Sequence, residues 1–190
     1  KADVFIPNGS SNKFGYWDEP SFGYPQITDN QTALIQGKGY VLNNNSADGI
    51  ISFNGTLNNG NIRIQATRTG TTDGARGFNL IGNPYPSYID WSTVTKNNVR
   101  QTIWYRTWAK GGGGMTFDTF DGTVGTANGK RGAVSQYIPP MQGFWVKVNA
   151  DGDTASVIFH NSDRLHRDQT AQTNRLRVPG ESIMTPTIIR

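Results

Sequence analysis

The chain contains no cysteine and only two histidines in 190 residues. The missing thiols exclude a disulfide framework, thiolate catalysis and Cys-ligated zinc. His160 and His166 lie six positions apart, without the i, i+4 spacing of a zinc-binding helix and with no third ligand nearby, so no metal site is assigned. Glutamate is as scarce: Glu19 and Glu181 stand alone, which argues against the paired glutamates of a glycosidase. A GxSxG nucleophile elbow is absent. The four glycines 111–114 precede no helix start, and GKG at 37–39 lacks the P-loop spacing, so neither reads as a phosphate cradle. Not being an enzyme, and needing no cofactor, is the expectation. Asp118 with Asp121, and Asp151 with Asp153, read as turn residues whose carboxylates bond nearby amides, with a structural Ca²⁺ as the alternative.

Long hydrophobic runs are missing as well. No stretch reaches the roughly 18 apolar residues that span a bilayer, and KADVFIPNG at the start has no signal-peptide core. Direct membrane insertion is not expected, and an export signal would have been removed or lie outside this sequence. Charge is thin at 17% of residues, with a net +4. Half of that surplus sits in residues 161–190, where five arginines face three carboxylates. The remaining body is nearly neutral, which argues against a nucleic-acid partner.

What the chain does have is turn chemistry and short apolar runs. Twenty-three glycines and nine prolines punctuate segments of alternating hydrophobicity, a mixture that favours many short strands over long helices. In NIRIQATRT, Ile62, Ile64 and Ala66 fall on one face and Arg63, Gln65 and Thr67 on the other, as in a sheet with one wet side. Further strands are expected at 39–42, 49–55, 77–81, 100–108, 115–120, 134–138, 143–148 and 154–160. Hairpin turns are expected at Asn58-Asn59-Gly60, at 150–153 and at the glycine run 111–114. Aromatic residues stop after Phe159. Residues 1–160 therefore read as one all-β domain, an antiparallel β-sandwich of jelly-roll type with at most a short helical turn near 91–96. Residues 161–190 read as a tail, a connector or the start of a following domain.

Two features carry functional information. In RQTIWYRTW, Trp104, Arg106 and Trp108 share one face of a strand while Ile103 and Tyr105 share the other. The rings either fill the space between two sheets or form a binding surface on which sugars could stack. The second feature is GFNLIGNPYPSYIDW at 77–91. Pro84 and Pro86 lack amide hydrogens and bias Asn83 and Tyr85 toward extended backbone, so the strand must end abruptly there. Trp91 is expected to plug the core, with Asn83 or Asp90 tying down backbone amides and Gln142 acting similarly ahead of Phe144.

Together with GKGY at 37–40, GIISFNGTLNNG and IPPMQGFWVKV at 138–148, this string resembles a module found in large secreted and cell-surface proteins of Bacteroidetes. There it often precedes a type IX secretion sorting domain. The similarity spans roughly residues 35–160. It implies an extracellular location at the outer surface of a Gram-negative bacterium, a longer parent protein and an all-β accessory region without assigned catalysis. Within that resemblance Asn83, Pro84, Tyr85, Pro86, Asp90, Trp91, Gln142, Gly143 and Phe144 read as architecture. The expected function is a non-catalytic module for adhesion, spacing or display, with a glycan or a protein at the cell surface as partner. The alternatives are a carbohydrate-binding module that uses Trp104, Arg106 and Trp108, or an accessory domain of a secreted polysaccharide-degrading enzyme or peptidase.

Overall fold

In the computed structural model the described residues are 3–5, 13–29, 32–43, 52–69, 74, 76–130, 132, 134–149 and 154–165. They form fifteen strands: β1 (Asp3–Phe5), β2 (Lys13–Tyr16), β3 (Tyr40–Asn43), β4 (Ser52–Asn54), β5 (Ile62–Ala66), β6 (Phe78–Gly82), β7 (Tyr88–Asp90), β8 (Thr95–Asn97), β9 (Ile103–Trp108), β10 (Met115–Phe120), β11 (Gly125–Thr126), β12 (Tyr137–Ile138), β13 (Gly143–Lys147), β14 (Ala155–Phe159) and β15 (Arg164–Leu165). Every pairing is antiparallel. The fold is all-β and sandwich-like, as the alternating pattern implied.

The largest sheet runs β11-β10-β9-β13-β6, and a second layer runs β5-β14-β8. A smaller sheet, β12-β7-β15, and two strand pairs, β2-β3 and β1-β4, complete the set. Ile81, Ile103, Tyr105, Phe120, Phe144 and Val146 from the large sheet join Ile62, Ile64, Val157 and Phe159 from the second layer in one apolar cluster. Ile89 and Ile138 of the small sheet extend that cluster. β5 alternates buried and exposed along its whole length, so the period-2 reading of Ile62, Ile64 and Ala66 gives its buried side.

Several expectations need correction. Asn58–Gly60 does not close a hairpin, because β4 pairs with β1 while β5 pairs with β14. The segment 150–153 lies outside the described residues, but the strands it connects, β13 and β14, sit in different sheets. Local turn composition permits a reversal without choosing the partner strand, and here burial of both apolar faces chose another pairing. The glycine run 111–114 does join a hairpin, with Trp108 opposite Met115. Near 91–96 the chain makes one hydrogen-bonded turn, Thr93 N–H on the Asp90 carbonyl, and then enters β8, which stays within the expected limit of a short helical turn. The folded body also continues past 160: a 3₁₀ turn at Asn161–Asp163 leads into β15, which pairs with β7.

The large sheet is covered on part of its outer face as well. Trp17 donates its indole N–H to the Phe78 carbonyl at 2.7 Å and packs edge-on against Trp145, 5.6 Å between ring centres. Glu19, which is buried, anchors this layer by accepting from the backbone N–H of Thr69 and Gly77 and from the Thr69 hydroxyl. Trp17 thus lays this segment over Phe78 of β6 and Trp145 of β13, whereas Arg106 and Trp108 of β9 and Met115 and Phe117 of β10 are exposed.

Candidate functional site

Asn83 forms the junction between the two proline-containing strings. Its side-chain Nδ2 donates to the carbonyls of Ser87, Ile138 and Pro139 at 2.8, 3.2 and 2.9 Å. Its Oδ1 accepts the Tyr85 backbone N–H, and its own N–H bonds the Gln142 carbonyl. The prolines explain the need, since a segment ended by Pro84 and Pro86 cannot continue a sheet ladder and its neighbours' carbonyls require another donor. Pro139 to Gln142 forms a tight turn closed by Gln142 N–H on the Pro139 carbonyl, with Met141 at φ 60°. The Gln142 side chain donates to the Gly143 carbonyl at 2.6 Å, and Phe144 follows with no exposed surface. Asn83 thus ties down the Tyr85 amide, as expected, and in addition serves three carbonyls, which the sequence did not indicate.

Tyr85 is buried with its hydroxyl donating to the Gly60 carbonyl at 2.6 Å, and burial raises its pKa. Trp91 is 0% exposed, packs edge-on against Phe144 at 5.4 Å and donates its indole N–H to the Gln101 carbonyl. Asp90 closes the next turn by accepting from the Ser92 N–H and hydroxyl. Lys96 lies 4.5 Å from the Trp91 ring centre and donates to the Trp91 and Val94 carbonyls. Burial lowers the Lys96 ammonium pKa to about 8, against the opposing pull of Asp163 and Asp90. Asp163, itself buried, accepts from the Thr93 hydroxyl and from the His160 N–H. All of these groups bind parts of the chain itself.

Trp104, Arg106 and Trp108 do share a face, the outer one of the large sheet. Ile103 and Tyr105 point into the core. The two tryptophans differ: Trp104 is half-buried, 5.0 Å edge-on from Phe78, whereas Trp108 is 52% exposed. Cross-strand register places Phe117 beside Arg106 and Met115 beside Trp108, at 42% and 44% exposure. The Arg106 side chain is exposed and makes no hydrogen bond or ion pair to the described residues. The result is a strip that runs from the covered Trp145–Phe78–Trp104 cluster to an open end of Arg106, Phe117, Trp108 and Met115. Composition did not single out Phe117 and Met115. The signal was there in the register of a hairpin closed by 111–114, which aligns them with the β9 rings.

Asp118 departs from the turn position expected of it. It sits inside β10 on the inner face, fully buried, with Oδ1 accepting the Gly129 N–H at 2.6 Å and Oδ2 without a hydrogen-bond partner. Asp121 does sit in a turn, where the N–H groups of Val124 and Thr123 lower its pKa. Asp151, Asp153 and His166 lie outside the described residues. Among the described residues no group of three or more His, Asp or Glu side chains converges to hold a metal ion. No described helix is long and apolar enough to cross a membrane.

In comparison with known proteins, the family model described as a domain of unknown function, DUF8693, matches residues 2–179. No curated protein and no solved structure matches the chain.

Proposed function

The chain belongs to the DUF8693 family, and we propose that it is a non-catalytic extracellular module of a larger bacterial surface or secreted protein, serving adhesion through the outer face of β9 and β10. One observation carries this reading. Trp108, Met115 and Phe117 stand exposed together on a sheet face that residues 13–29 cover elsewhere. Large apolar side chains gathered on one open patch favour association. The polar side chains at the strand-breaking motifs support the same reading from the other direction, because Asn83, Asp90, Lys96 and Asp163 bind the fold's own backbone and side chains. The Bacteroidetes-like strings supply the expected setting, a Gram-negative outer surface.

The test is bead retention. Beads coated with the chain are passed over immobilised bacterial envelopes, extracellular-matrix proteins and a broad glycan array, beside beads carrying the W108A/F117A double variant. Retention by the parent chain, lost in the double variant with unchanged circular dichroism, supports the reading. Equal retention by both chains removes this face from the account. Release of reducing ends or new amino termini from glycans or proteins would overturn the non-catalytic assignment.

A further inference from the structure

We infer that the open end of this strip takes an anionic polysaccharide, one whose sugars carry carboxylate or sulfate groups. The inference rests on the adhesive reading of the same face and names its ligand class. Arg106 is flanked along β9 by Trp104 and Trp108 and across the strand by Phe117. Along a strand, residues two apart project from the same face about 6.6 Å from each other, and directly paired residues stand about 5 Å apart. A guanidinium thus lies within one side-chain length of two exposed ring surfaces. Aromatic faces accept the C–H groups of a pyranose, and a guanidinium forks onto a carboxylate or sulfate.

Charge on the β9–β10 hairpin and its following loop has one prevailing sign. From residue 103 to 130 the exposed ionic side chains among the described residues are Arg106, Lys110 and Lys130 against Asp121 alone. Asp118, the other carboxylate of that stretch, is buried on the opposite face and held by the Gly129 N–H. Lys110 and Lys130 are tied to the hairpin end, Lys110 through its Nζ on the Ala127 carbonyl and Lys130 through its N–H on the Trp108 carbonyl. A neutral glycan would leave the Arg106 charge unmatched, and an acidic peptide would match it without an obvious partner for the ring faces. An acidic sugar satisfies both.

The experiment is titration of the purified chain with polygalacturonate and dextran sulfate, with neutral dextran and poly-glutamate as controls, at about 0.05 M and about 0.5 M NaCl. R106Q and W108A are measured alongside, with near-UV circular dichroism to confirm that each is folded. The expected result is saturable binding to at least one of the two acidic polysaccharides, at least tenfold weaker for dextran and poly-glutamate. It should weaken about tenfold in R106Q, a loss of the size expected for one charged hydrogen-bonding group, and by a similar factor in W108A through the lost ring face, and weaken with added salt. Equal affinity for dextran, with R106Q unaffected, overturns the anionic class. Binding to acidic polysaccharides that W108A leaves unchanged overturns the site. Poly-glutamate binding as tightly as polysaccharide points to an acidic protein instead. Failure to bind any polysaccharide sinks the inference; the adhesive reading stands or falls separately by whether the W108A/F117A difference persists in bead retention.

Discussion

Asn83 shows how one side chain can hold two distant strings together. Its amide supplies the donor that Ser87, Ile138 and Pro139 share, while its Oδ1 holds the Tyr85 N–H. Replacing it with Ala should leave these groups without their side-chain partner in a region that is largely buried, costing about 2–4 kcal/mol. Asn83→Asp keeps the acceptor and loses the donor, so it should be no milder; urea midpoints at unchanged m-value would show both. Lys96 provides a pH signature. Its folded pKa of about 8 lies below the ordinary lysine value of 10.5, so between those values the unfolded chain binds more protons and stability rises with pH. Urea midpoints at pH 7.5, 8.5 and 9.5 should rise more in the parent chain than in Lys96→Met. Tyr40 and Tyr85, whose pKa values are raised by burial, act in the opposite direction at higher pH, which is why the comparison stops at 9.5.

The element that matters most is the β9–β10 hairpin with the loop that returns beneath it. The loop comes so close that a Cβ built at Gly129 would fall 2.0 Å from Thr107 Cγ2 and 2.9 Å from the Trp108 carbonyl oxygen. Gly129→Ala should lift the loop and strip Asp118 of its one hydrogen bond, leaving a buried carboxylate with neither oxygen bonded. A loss of about 2–4 kcal/mol is expected. Because Lys130 N–H bonds the Trp108 carbonyl, the same variant should also shift Trp108 fluorescence; an unchanged denaturation midpoint would show that the loop is dispensable. Period-2 alternation puts Trp104, Arg106 and Trp108 on one face, but both faces of β9 carry large apolar side chains. Which of them meets water depends on what packs against the sheet.

At the scale of the molecule, the sheet is covered on both sides at one end and on one side at the other. Glu19 secures the extra cover with three hydrogen bonds to Thr69 and Gly77. Glu19→Ala should release residues 13–29 from the outer face, at a cost of about 2–3 kcal/mol from the unpaired amides. Limited proteolysis should then cut within 17–29, and tryptophan emission should move to the red as Trp17 and Trp145 lose their contact. The Trp91–Phe144 core lies on the other face and should survive. A chain that resists protease as well as the parent would show that Glu19 is not the clamp.

The all-β class and most of the strands were legible in the amino-acid order, because alternation and turn residues act over a few neighbours. So was the abrupt break at Asn-Pro-Tyr-Pro, which follows from two missing amides in one strand end. The short strands at 13–16, 88–90, 95–97 and 164–165 were not legible, since each is defined by a partner and carries too few residues for a period to show. The false hairpins at 58–60 and 150–153 failed for the same reason: a turn reverses the chain, but pairing is settled by which surfaces bury together. Trp91 as a core plug followed from its local setting. Trp108 as an exposed ring did not, for only the assembled sheet, with Trp17 packed over the Phe78–Trp145 end and Trp108 exposed at the other, separates two tryptophans that alternation treats alike.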